Sequence, residues 1–87
     1  MHETGLVRDL IRRIDQAAAA HGATRVSGVR VWLGALSHLS AAHFRAHFAI
    51  EASGSAAEGA RLTITESTDP ADPDAHHLRL ESLELEV

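Results

Sequence analysis

With 87 residues and a formal charge of −4, the chain has room for one small domain, and its charge disfavours nucleic acid or an anionic membrane surface as partner. The absence of cysteine excludes disulfides and thiolate metal sites, and the eight basic residues, all arginine, form no cluster. No stretch approaches the roughly 20 apolar residues of a membrane span and the polar start does not fit a signal peptide, so the chain reads as cytosolic.

From Thr4 to His21 the apolar residues Leu6, Val7, Leu10, Ile11, Ile14, Ala17 and Ala18 recur at steps of three and four. That spacing predicts an amphipathic helix, with Arg8, Arg12, Arg13, Asp15 and Gln16 on its polar side. His21-Gly22 ends it, because glycine takes the left-handed conformation past a helix C-terminus without strain. Arg25 to Leu33 is β-branched and alternating: Val29, Val31 and Leu33 point one way, and Val26, Arg30 and Trp32 the other. On a sheet covered on one side, Trp32 is then partly exposed, either as a contact surface or as cover for the outer face beside Arg30.

Gly34 opens a connection to a second helix capped by Ser40, with Leu39 and Phe44 placed to staple its start. Phe44 and Phe48 lie one turn apart and face the sheet, and Ser53-Gly54-Ser55 closes the helix. A strand follows at Arg61 to Glu66, with Leu62 and Ile64 on one face. Ser67 to Ala75 holds both prolines and three aspartates and reads as a loop, extending to His77. In the last strand, Leu78 to Val87, the apolar phase slips between Leu80 and Leu83; a β-bulge near Glu81-Ser82 restores one apolar face.

The expected fold is a single α/β domain over residues 1–87, in the order α-β-α-β-β, with a three-stranded sheet and two helices on one face. Its expected core is Leu6, Leu10, Ile14, Phe44, Phe48, Val29, Val31, Leu62, Ile64, Leu80, Leu83 and Leu85. An open face and edge make a homodimer or docking on a larger partner plausible.

Met1-His2-Glu3 carries the most chemistry. A free α-amine, the next backbone nitrogen and a neighbouring imidazole form fused chelate rings around one cation. Nitrogen donors in a plane suit Ni(II) or Cu(II) better than tetrahedral Zn(II). His38, in the connection after the first strand, is a candidate second imidazole; the alternative is an exposed loop histidine. His43 and His47, four apart on the second helix, have the spacing to share a metal. With only Glu51 as an obvious third ligand, they read instead as a solvated helix edge. His76-His77, following Asp69, Asp72 and Asp74, point to opposite faces of a strand, and the aspartates suit a turn. No nucleophile–base pair, phosphate loop or carboxylate pair stands out, so the chain is not read as an enzyme.

The ordered set Met1-His2-Glu3, His21-Gly22-Ala23 with Val26 to Leu33, Gly34-Ala35-Leu36-Ser37, Ala57-Glu58-Gly59-Ala60-Arg61-Leu62 and Leu78 to Leu85 resembles the HypA/HybF family of hydrogenase nickel-incorporation proteins. The resemblance implies a small α/β metallochaperone that holds Ni(II) at its amino terminus. It passes the ion on, with a GTPase of the HypB type, toward the large subunit of [NiFe] hydrogenase and sometimes urease. Carried onto this chain, the ligands are the backbone nitrogens near the terminus at Met1 and the imidazole of His2, with Glu3 contributing at least its backbone and its carboxylate available to tune the site or contact partners.

There are two departures. Family members insert a zinc domain with two CxxC-type pairs between the strands that here flank the 67–77 loop, so no zinc is expected and those strands are expected to form a hairpin-like pair. In some relatives an acidic residue lies near the metal where this chain has Ser40, with His38 as a possible substitute. An intact Met-His-Glu terminus favours a nickel chaperone, whereas loss of the zinc domain and of the acidic residue favours a non-metal adaptor in a hydrogenase assembly complex.

Overall fold

The computed structural model describes residues 3–87, and its elements follow the expected order. Helix α1 (Glu3–Ala20) leads into β1 (Arg25–Leu33), α2 (Ala41–Glu51), β2 (Arg61–Glu66) and β3 (Leu78–Glu86). At the end of α1, Gly22 has φ +67°; the amide of Ala23 donates to the carbonyl of Ala18 at 2.8 Å, and that of Gly22 to Ala19 at 3.1 Å. These two bonds form a Schellman stop, which satisfies carbonyls that a helix end otherwise leaves unpaired. The start of α2 is held by Ser40, whose Oγ accepts from the amide of His43 at 3.1 Å, and Leu39 packs against the core as the staple requires.

The sheet order is β2-β1-β3, with β1 parallel to β2 and antiparallel to β3. This corrects the expected hairpin: β2 and β3 are not neighbours. A parallel pair needs a crossover between its strands, and α2 supplies it, placing β2 along one edge of β1. The other edge is then open to β3. The 67–77 loop spans the end of the central strand and is tied at both its ends. Ser67 donates to the Leu33 carbonyl at 2.9 Å, and the Gly34 amide donates to His77 at 2.9 Å.

The bulge expected in β3 is present: pairing passes from Arg30–Ser82 to Val31–Leu80, leaving Glu81 as the extra residue. Leu80, Leu83 and Leu85 consequently all pack against the core. A second bulge, at Ser27, was not expected from the alternation. It reverses the phase at the start of β1, so Val26 joins Val29, Val31 and Leu33 in the core instead of facing outward.

Both helices cover one face, and Val7, Leu10, Ile11, Ile14, Phe44, Phe48 and Leu62 are buried between helices and sheet. Leu6, expected in the core, is only half-buried; the stripe of α1 is centred one position later, on the fully buried Val7. Trp32 is also corrected. It is 8% exposed, because the guanidinium of Arg79, its partner on β3, lies 4.0 Å from the ring centroid. The outer face is thus closed over the tryptophan by a cation–π contact. Arg79 is itself held by Asp74 of the loop at 2.8 Å. Among the described residues, no helix is long and apolar enough to cross a membrane.

Candidate metal centre

Of the four predicted ligands, Met1 and His2 lie outside the described residues, and Glu3 and His38 lie within them. Glu3 is the first residue of α1. The amides of a helix's first turn have no intrahelical acceptor, so the Glu3 nitrogen can bind a cation without costing the helix a hydrogen bond. The positive end of the helix dipole opposes a cation by about 0.3–1 kcal/mol. The Glu3 carboxylate, in that same first turn, offsets this.

That carboxylate is not free in solvent. Helices α1 and α2 pack side by side, and His47 of α2 brings its Nδ1 to 2.6 Å from Glu3 Oε2. The angle at the ring nitrogen is too bent for a directed hydrogen bond, and Nδ1 is sealed from solvent although the side chain is 40% exposed. One turn along each helix, Glu51 is occupied by Arg8 at 3.0 Å, so it is not the third ligand that the His43/His47 spacing would need. The solvated edge expected for these histidines therefore holds for His43, which is exposed, and not for His47.

The spacing of His43 and His47 marked His47 as a candidate ligand, but nothing in the sequence pointed to Glu3 as its neighbour. Glu3 lies 44 positions earlier, and only helix packing brings the two together.

His38 is exposed in the connection between β1 and α2, with φ +62°. That left-handed conformation costs a non-glycine residue about 1 kcal/mol, although histidine is among the residues that visit it most. Ser40 has its hydroxyl engaged as the α2 cap. In the 67–77 loop the aspartates are committed to local structure. Asp69 accepts from Ala71 at 2.9 Å, Asp72 from Asp74 at 2.8 Å, and Asp74 from Arg79. Among the described residues no three His, Asp or Glu side chains gather as a metal cluster. A groove of about 200 Å³ between α2 and β2, lined by Arg45, Phe48, Ala52, Ala57, Ala60 and Leu62, contains none of the predicted ligands.

The model of the family "Hydrogenase/urease nickel incorporation, metallochaperone, hypA" matches residues 1–72. The hydrogenase maturation factor HypA of Escherichia coli K12 is 39% identical over 66 residues, covering 76% of this chain and 57% of the relative. HybF of Salmonella typhimurium is 39% identical over 64 residues, covering 74% and 57%. HypA of Chloroflexus aurantiacus is 38% identical over 66 residues, covering 76% and 58%. The chain thus spans a little under three fifths of the length of the curated relatives it matches.

The solution structure of the Ni metallochaperone HypA from Helicobacter pylori superposes with a TM-score of 0.83 at 21% identity, over 98% of this chain and 97% of that one. At that identity it establishes the shared fold, β3 included. The match of the family model over most of the chain carries the assignment: this protein belongs to the HypA family of metallochaperones for nickel incorporation.

Proposed function

We propose that this chain is a nickel metallochaperone acting in the maturation of [NiFe] hydrogenase, and that its cargo Ni(II) is taken by the amino-terminal residues. The observation that carries the proposal is the family match beginning at Met1 and including Met1-His2-Glu3. The ligands in this reading are the terminal amine, the backbone nitrogens of His2 and Glu3, and the His2 imidazole, with His38 as a further candidate. A site at the first turn of α1 has a mechanical advantage for a carrier: the ion sits at the chain's edge and can be handed on without opening the core.

The chain serves as a single nickel-binding domain in which the 67–77 loop stands where relatives insert their zinc domain. It works with Ni(II) and without zinc, acts as a carrier and not an enzyme, and resides in the cytoplasm. Its partners are a GTPase of the HypB type, the hydrogenase large subunit, or both.

Ni(II) titration of tag-free protein with an authentic Met1, followed by calorimetry and visible absorption, tests the reading. The expected result is one site per chain with a planar-nickel spectrum, lost in His2→Ala and on adding any residue before Met1. Binding equal to that of His2→Ala would overturn it. The adaptor reading, a docking module kept for protein contacts in the assembly complex, would then take its place.

A further inference from the structure

We propose that His47 is a ligand of the cargo nickel and acts as its second imidazole, with the Glu3 carboxylate beside it as either co-ligand or orienting group. This rests on the reading of the amino terminus as the nickel site and assigns that site a donor from the other helix.

Three observations converge on it. First, His47 Nδ1 and Glu3 Oε2 approach to 2.6 Å without the alignment of a hydrogen bond. Two ligands at right angles on one ion, with bonds of about 2.0–2.1 Å, sit about 2.9 Å apart, so this pair is within a few tenths of an ångström of a chelating bite. Second, Nδ1 is buried and lacks a directed partner, while the rest of the side chain remains accessible. A nitrogen in that state loses hydrogen bonding to water without regaining it from protein, a cost that a metal ion would remove. Third, Glu3 directly follows Met1 and His2 in the sequence, so His47 contacts the residue next to the donors of the reading above.

As an ion pair this half-exposed contact would contribute only about 0–1 kcal/mol. Imidazole is the better match to Ni(II), which favours nitrogen donors over a lone carboxylate.

X-ray absorption of the Ni(II)-loaded, tag-free protein counts bound imidazoles, and calorimetry gives affinity, for wild type, His2→Ala, His38→Ala and His47→Ala. The expected count is two in wild type and His38→Ala and one in His47→Ala. The affinity of His47→Ala should fall at least 10-fold. Thermal melting of the metal-free proteins should leave wild type and His47→Ala within a few degrees, because the pair is half-exposed.

One imidazole in wild type, with His2→Ala abolishing binding and His47→Ala unchanged, would remove His47 and leave the amino-terminal site standing. One imidazole in wild type together with weakened binding in His47→Ala would make it a positioning residue and overturn the ligand assignment. A count that falls in His38→Ala instead would give the place to His38. No specific nickel in wild type would take down the functional reading itself. The wild-type count needs no variant to fold.

Discussion

Gly34→Ala tests how the 67–77 loop is fixed to the domain. A Cβ at this position would meet the Ala75 carbonyl oxygen at 2.2 Å, its carbon at 2.5 Å and the Asp74 oxygen at 2.6 Å. All three are backbone atoms, so no rotamer change relieves the clash, and the loop must retreat by more than about 1 Å to reach ordinary contact. That retreat breaks the bonds from the Gly34 amide to His77, 2.9 Å, and from the Leu36 amide to Ala75, 2.7 Å. Each contributes about 1 kcal/mol. Exposing the methyl of Ala75, now 1% accessible, adds about 0.8 kcal/mol. Against this, replacing glycine stabilises by about 0.4–1 kcal/mol through the unfolded chain.

The expected net loss is about 2 kcal/mol, read as a shift of about 2 M in the urea midpoint for a domain this small. Trp32, the sole tryptophan, reports unfolding by fluorescence, and hydrogen exchange at the Leu36 amide reports the loop. Gly22→Ala is the control. Gly22 has φ +67° and open space around its Cβ position, so its replacement costs about 1 kcal/mol from backbone conformation alone and leaves Leu36 protected. A Gly34→Ala protein within about 0.5 kcal/mol of wild type, with Leu36 still protected, would refute the clash argument.

Two further outcomes concern the helix start and the outer face. Ser40→Ala removes the acceptor for the His43 amide and should destabilise by about 1 kcal/mol in urea unfolding. Ser40→Asp, an equally good cap, should stay within a few tenths, and equal losses in both variants would mean that the hydroxyl contact matters little. Arg79→Ala uncovers the ring of Trp32 and frees Asp74, so its fluorescence emission should move to longer wavelength with a loss of about 1 kcal/mol. Unchanged emission would show that something other than Arg79 shields the tryptophan.

Much of this protein is local in origin. The α1 stripe and its Gly22 stop, the Ser40 cap, the Phe44/Phe48 pair and the β3 bulge at Glu81 are written in neighbouring residues. Helix and strand periods act over only a few positions, and turn chemistry over fewer. The expectation of a Met1-His2-Glu3 chelate is equally local, since adjacent donors can share chelate rings whatever the fold. Other features depend on residues far apart in the chain. The Ser27 bulge that turns Val26 inward is defined by pairing with β3, almost 60 positions later. The separation of β2 from β3 follows from which edge of β1 each strand can reach. The burial of Trp32 depends on Arg79 across the sheet. Above all, the approach of His47 to Glu3 exists only because α1 and α2 cover the same face of one sheet. Sequence by itself determined the elements; the tertiary structure alone decided which side chain of α2 meets Glu3, because apolar packing sets the rotation of each helix and polar side chains at its margin are carried into contact with it.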